Sequence, residues 1–168
     1  MPTAWLGLGT NLGDRRANLR LALGMTGRLG DVAALSWVYE SEPVGFADQP
    51  VFWNMAARLS TDVPPQPLLA ALKRVERCVG REPTFRNGPR LMDIDLLLYD
   101  DRIIQDGLTV PHPRMLERAF VLRPLVELQP DLMHPVTGER LADVLSAGRF
   151  EALQPIFPGT ALFQLDTG

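Results

Sequence analysis

"GPRLMDIDLLLYDD", residues 88–101, reads as a buried strand that carries two carboxylates. Strand alternation sets Asp93 and Asp95 on one face and Met92, Ile94, Leu96 and Leu98 on the other. Two residues of rise separate the aspartate Cα atoms by roughly 6.5–7 Å, so both side chains can converge on one small volume. With oxygens about 5 Å apart at an effective dielectric of about 20, their repulsion is of order 3 kcal/mol. A hard cation such as Mg²⁺ offsets that repulsion with oxygen ligands and keeps positions for water and phosphate. Taken alone, an Asp-x-Asp strand more often lies at a sheet edge, with its carboxylates solvated or paired to arginine. Arg81, Arg86 and Arg90 lie just upstream, however. Metal-binding carboxylates and anion-binding forks together make the two halves of a phosphate site.

Working outward, the pattern predicts βαββαβ. Thr3 to Gly9 forms a first strand, and Asn11 or Asp14 caps a helix whose inner face is Leu19, Ala22, Leu23 and Thr26. "DVAALSWVYES" (31–41) is a second strand and "FWNMAARLS" (52–60) its hairpin partner, with a Pro- and Gly-bearing loop between them. Leu68, Leu69, Leu72, Val75 and Val79 mark an amphipathic helix with Pro67 in its first turn. The Asp93–Asp95 strand follows. The fold class is therefore α+β, a ferredoxin-like core with a mainly antiparallel sheet. "RAFVLRPLVEL" and "LADVLSAG" add C-terminal helices packed outside that core, and the tail 155–168 has no clear period.

The chain has 168 residues, which suits a single domain spanning 1–168. Its 14 glycines and 15 prolines predict long, shaped loops. A net charge of −3 argues against a general nucleic-acid coat or an anionic-membrane binder. Yet ten of the 17 basic residues fall between Lys73 and Arg123, and all but Lys73 are arginine, the residue suited to bidentate phosphate contacts. The single cysteine, Cys78, excludes an intrachain disulfide and reads as inert helix packing. Neither a signal-like N-terminus nor a long apolar run is present, so the expectation is a soluble cytoplasmic protein.

Other nucleotide motifs fail. No GxxxxGK[ST] phosphate loop occurs, and in "GLGTNLG" (7–13) the third glycine of a dinucleotide fingerprint falls one residue late, so this reads as a tight strand-to-helix turn.

Taken together, "GTNLGD", "SEPVGFADQPVFWN", "RNGPRLMDIDLLLYDD" and "LTVPHPRMLERAFVLRPL" resemble the 6-hydroxymethyl-7,8-dihydropterin pyrophosphokinase family over about residues 3–149, in order and spacing. The resemblance implies transfer of pyrophosphate from ATP to the pterin's hydroxymethyl oxygen with release of AMP, a step of folate biosynthesis. It also implies two Mg²⁺ ions on Asp93 and Asp95, a monomer, and small-molecule partners only. Carried over residue by residue, it implies catalytic roles for Arg81, Arg90, Asp93 and Asp95. ATP contacts are implied at Glu76, Arg90, Leu96, Thr109, His112 and Arg118. For the pterin, it implies Phe52 and Phe120 on opposite ring faces, Asn54 at the polar edge, and main-chain groups of Ser41 and Val44. Aromatic sandwiching and amide pairing suit a flat heterocycle of this kind. His134 matches no role and reads as structural.

The sequence departs from the family in three places, the first being an arginine-bearing loop, around Arg86, that is one residue shorter than in some relatives. Asn87 stands where relatives commonly carry Trp, removing an aromatic cover, and Pro113 stands where a Tyr commonly follows the histidine. Two other classes remain distinguishable. An RNA-binding module would avoid carboxylates on its central strands. A different metal-dependent enzyme, such as a nucleotidyltransferase or a phosphohydrolase, would not yield AMP: nucleotidyl transfer releases pyrophosphate, and ordinary kinase or ATPase chemistry releases ADP.

Overall fold

The first strand, β1 (Thr3–Thr10), is the central strand of the sheet's carboxylate-bearing half, with Ala4, Trp5, Leu6 and Leu8 all buried. In this computed structural model, residues 1–43, 47–80 and 89–164 are described. The remaining elements follow in chain order as α1 (Arg15–Thr26), β2 (Asp31–Leu35), β3 (Trp37–Ser41), β4 (Phe52–Ser60), α2 (Pro65–Val79), β5 (Asp93–Tyr99), β6 (Ile104–Gln105), β7 (Thr109–Val110), α3 (Ala119–Leu128), α4 (Leu141–Ala147) and β8 (Gln154–Pro158). The sheet runs β5-β1-β4-β3-β8, with β2 also paired to β4 and every pairing antiparallel. An α+β architecture with an antiparallel sheet is what the residue pattern predicts.

Each face of the sheet carries a separate apolar layer. On one side α1 and α2 bury Leu19, Leu23, Leu68, Leu72 and Val75 against Leu6, Leu8, Met55 and Ile94. Asp14 caps α1 by accepting from Ala17 N at 3.0 Å. Gly80 ends α2 in the left-handed region at φ 110°, a conformation glycine adopts without cost. On the other side α3 and α4 set Val121, Leu122, Leu125 and Leu141 against Trp5, Ala56, Leu97 and Leu98. The C-terminal helices are thus the second layer of the core and not an external addition. The Glu127 carboxylate fastens α3 to β3, accepting from Tyr39 Oη at 2.6 Å and Trp37 N at 3.0 Å.

Four further expectations need correction. The stretch 31–41 is two strands, because Ser36 turns its hydroxyl inward to accept from Ala56 N at 2.8 Å and interrupts the ladder. Strict alternation along β5 also fails. A bulge opposite Trp5 and Leu6 inserts an extra residue, so Leu97 and Leu98 both join the α3 side while Ile94 and Leu96 stay on the other. The tail contributes an edge strand, β8, whose prolines suit a position with a free N–H side, and a 3₁₀ turn over Gly159–Phe163. Cys78 is exposed on α2 instead of packed.

Candidate active site

Register decides what surrounds the two carboxylates. On β1, Gly9 stands opposite Asp93 and Gly7 opposite Asp95; across the other ladder, Gly9 faces Asn54 and Gly7 faces Ala56. The face bearing Asp93 and Asp95 is therefore floored by residues with little or no side chain. A Cβ on Gly9 would stand 3.0 Å from Asn54 Oδ1, and one on Gly7 would stand 3.3 Å from Leu97 Cδ1. "GLG" is strand, and its glycines create space instead of a turn. That space is a cavity whose lining includes Gly7, Gly9, Ser41, Phe52, Asn54, Arg90, Asp93, Asp95, Arg118 and Phe120.

One wall is polar and aromatic. Asn54 is buried and donates from Nδ2 to Ser41 Oγ at 2.6 Å, a contact made possible by the β3–β4 ladder in which Ser41 pairs with Phe52 and Tyr39 with Asn54. Phe120 enters from the first turn of α3, and the Arg118 guanidinium lies 5.6 Å from its ring centre.

The opposite wall is charged. Arg90 Nη1 donates to Asp93 Oδ2 at 2.9 Å, whereas Arg90 Nε is buried with no hydrogen-bond partner among the described residues. Burial first, and then the neighbouring Asp93 carboxylate, push the Asp95 carboxyl up to about 6; Lys73 and Arg118 oppose that shift. Burial and the Arg118 charge hold His112 below its ordinary value. Its Nδ1 accepts from Arg114 N at 3.2 Å, which leaves the proton of the neutral ring on Nε2 as a donor. The His112 backbone N–H donates to Leu97 O at 2.9 Å, so the β5 bulge is also the anchor of this loop.

Not every sequence-predicted residue lines the cavity: His112, Glu76, Leu96 and Thr109 do not. Glu76 is buried at the edge of β5, where its Oε1 accepts from Ile94 N at 2.7 Å and from Lys73 Nζ at 2.9 Å; Lys73 Nζ also donates to Ile94 O at 3.1 Å. The pair grips the backbone of the residue between the two aspartates. Leu96 points into the core on the α1–α2 side, and Thr109 is exposed on β7. Val44 and Arg81, along with Arg86 and Asn87, lie outside the described residues. His134 is structural: its Nδ1 accepts from Val136 N and Thr137 N at 3.3 and 3.2 Å. Gly7 and Gly9 belong to the cavity without forming part of any nucleotide motif, although glycine alternating with large residues inside a strand is a readable sign of close approach.

No group of three or more His, Cys, Asp or Glu side chains that could hold a metal ion exists among the described residues. A pair of carboxylates that repel each other fits a hard cation that takes its other ligands from water and phosphate. The cavity brings two phenylalanines and a buried amide together with two arginines and two carboxylates.

Comparison with known sequences identifies the family. The sequence model of the family described as 7,8-dihydro-6-hydroxymethylpterin-pyrophosphokinase matches residues 5–130, and the chain belongs to that family. It is 42% identical over 144 residues to the 2-amino-4-hydroxy-6-hydroxymethyldihydropteridine pyrophosphokinase of Aquifex aeolicus, covering 85% of this chain and 90% of that protein. The Pseudomonas aeruginosa protein of the same name is 41% identical over 158 residues, covering 92% and 96%. The folic acid synthesis protein fol1 of Pneumocystis carinii is 38% identical over 156 residues, and the chain spans about a fifth (21%) of its length. Among solved structures, Plasmodium falciparum HPPK-DHPS wild type with pteroate superposes with a TM-score of 0.70 at 18% identity, over 86% of this chain and 42% of that one. That likeness is one of fold. No helix among the described residues is long and apolar enough to cross a membrane.

Proposed function

We propose that this chain transfers the pyrophosphoryl group of ATP to the hydroxymethyl oxygen of 6-hydroxymethyl-7,8-dihydropterin, releasing AMP, within folate biosynthesis. The observation that carries the reading is the joining, in one cavity of a member of this family, of the Ser41–Asn54 amide edge and the Arg90–Asp93–Asp95 cluster.

In this reading the pterin lies between Phe52 and Phe120, its polar edge on Asn54 and on the main chain of Ser41 and Val44. That pose directs the hydroxymethyl arm towards Asp93 and Asp95. Arg90, with its unpartnered Nε, and Arg118 hold the triphosphate and follow charge onto the departing AMP, as forked cations do. Arg81 is proposed as a further cation for the phosphates, and neutral His112 as a donor from Nε2 to a phosphate oxygen. Thr109 and Leu96 border the nucleotide; Glu76 supports it from below by fixing Ile94. Asp93 and Asp95 would hold Mg²⁺, two ions in the full complex, which would supply charge neutralisation to the triphosphate during attack on the β-phosphorus. Orientation and electrostatics supply most of the acceleration in such a transfer.

The order β5-β1-β4-β3, with helices α1 and α2 on one face, supports the ferredoxin-like classification. We take the chain as a single domain over 1–168 that acts as a cytoplasmic monomer on small molecules, without nucleic-acid or membrane partners.

The test is incubation with ATP, Mg²⁺ and the pterin, followed by separation of nucleotides. AMP formed only when the pterin is present is the expected product. ADP would indicate ordinary kinase chemistry, and free pyrophosphate would indicate nucleotidyl transfer.

A further inference from the structure

Asn11 follows β1 directly and is 2% exposed, and every hydrogen-bonding group of its side chain is used. Its Oδ1 accepts from Arg90 N at 2.8 Å. Its Nδ2 donates to Gln49 Oε1 at 2.8 Å and to Pro50 O at 2.9 Å. The backbone adds to one arm: Asn11 N and Leu12 N both donate to Arg90 O, at 3.0 and 3.3 Å, and Thr10 Oγ1 donates to Leu91 O at 2.5 Å.

The two segments so fastened are far apart in sequence and stand on opposite walls of the cavity. Arg90 carries the guanidinium that meets Asp93, and Pro50 lies two residues before Phe52. Arg15 fastens Val51 O separately, at 3.0 Å, so the 49–51 segment keeps one tie that does not involve Asn11.

We infer that Asn11 is a positioning residue that locks the phosphate-side wall at Arg90 to the pterin-side wall at residues 49–52, setting both at one spacing. What the walls bind rests on the pyrophosphokinase reading; that they are joined through one amide does not. An amide suits the post because it presents an acceptor to Arg90 N–H and two donors to acceptors on the other side. A carboxylate of the same shape keeps the first contact and faces Gln49 Oε1 and Pro50 O with lone pairs, so the two arms can be separated by substitution.

The experiment uses the full chain as wild type, Asn11→Ala and Asn11→Asp, each at a temperature where circular dichroism shows it folded. Amide exchange read by mass spectrometry is expected to rise for Asn11→Ala in peptides covering both 47–52 and 89–92, and for Asn11→Asp chiefly in 47–52. Turnover per folded protein is expected to fall in Asn11→Ala by roughly tenfold to a hundredfold in kcat/KM for both substrates, the scale of a small misplacement of reacting groups. Asn11→Asp is expected to raise KM for the pterin several-fold while KM for ATP stays within twofold. Exchange unchanged in either segment of Asn11→Ala would overturn the lock. Raised exchange with kcat/KM within twofold of wild type would overturn the positioning role. A wild type that forms no pterin-dependent AMP removes the activity reading, and the exchange data still decide the lock.

Discussion

Asp95 stands directly across the β1–β5 ladder from Gly7, and Asp93 from Gly9, so each carboxylate faces a residue without a side chain. The same two glycines face Ala56 and Asn54 on β4. Open space beside the carboxylates is thus written into β1, at a cost in strand propensity that the buried Leu6 and Leu8 on the other face offset.

Gly9→Ala is expected to disturb the pterin edge, because its Cβ would stand 3.0 Å from Asn54 Oδ1 and must displace the amide. Calorimetric titration should show about tenfold weaker pterin binding with ATP binding little changed. Unchanged pterin affinity would mean that Asn54 does not read the ring.

The Asp95 carboxyl is pushed up to about 6 from the ordinary 3.8, so the folded chain binds that proton more tightly than the unfolded chain. Its contribution is fully favourable below about pH 4, and stability falls as pH rises through about 6. At pH 8 without metal, Asp95→Asn is therefore expected to be more stable by about 1–3 kcal/mol, at roughly 2–4 °C per kcal/mol for a chain of this size, while turnover is lost. Mg²⁺ should raise the melting temperature of the wild type and not of the variant. A variant less stable than wild type at pH 8 would show that burial and Asp93 do not strain this carboxylate.

Phe120→Ala should weaken the pterin far more than ATP, since it removes one face of the aromatic slot; equal losses for the two ligands would place the ring elsewhere. Truncation of an aromatic on a packed helix also costs stability, of order 3 kcal/mol if the site does not collapse, so binding must be compared at a temperature where the variant is folded.

Glu76→Ala removes the acceptor of the buried Ile94 N–H at 2.7 Å and releases Lys73. A loss of about 2–3 kcal/mol in chemical unfolding is expected, the scale of a charge-assisted buried bond, together with reduced turnover. Full stability with lost ATP affinity would instead assign Glu76 to the nucleotide alone.

Much of this architecture is legible in the chain because local period and burial agree. Leu19, Ala22, Leu23 and Thr26 are predicted as one helix face and are all buried on α1. The features that resist reading arise from pairing between distant segments. Nothing near Leu97 announces the bulge that moves Leu98 to the other layer, and Ser36 interrupts its strand only because Ala56 N is present to meet its hydroxyl. The two prolines of β8 hide an edge strand that takes its register from β3. In the cavity, Asp93 and Asp95 are visible as a local pattern, whereas Ser41 and Asn54 meet only through the β3–β4 ladder. Asn11 reads as a cap candidate, but Asp14 takes the cap and Asn11 ties two loops together.

The most direct measurement follows the phosphorus itself, using ATP labelled in its β-phosphate with Mg²⁺ and the pterin. The label is expected to leave with the pterin and to be absent from the nucleotide, which is recovered as AMP. Label retained in ADP, with only the γ-phosphate moved, would contradict pyrophosphoryl transfer by this site.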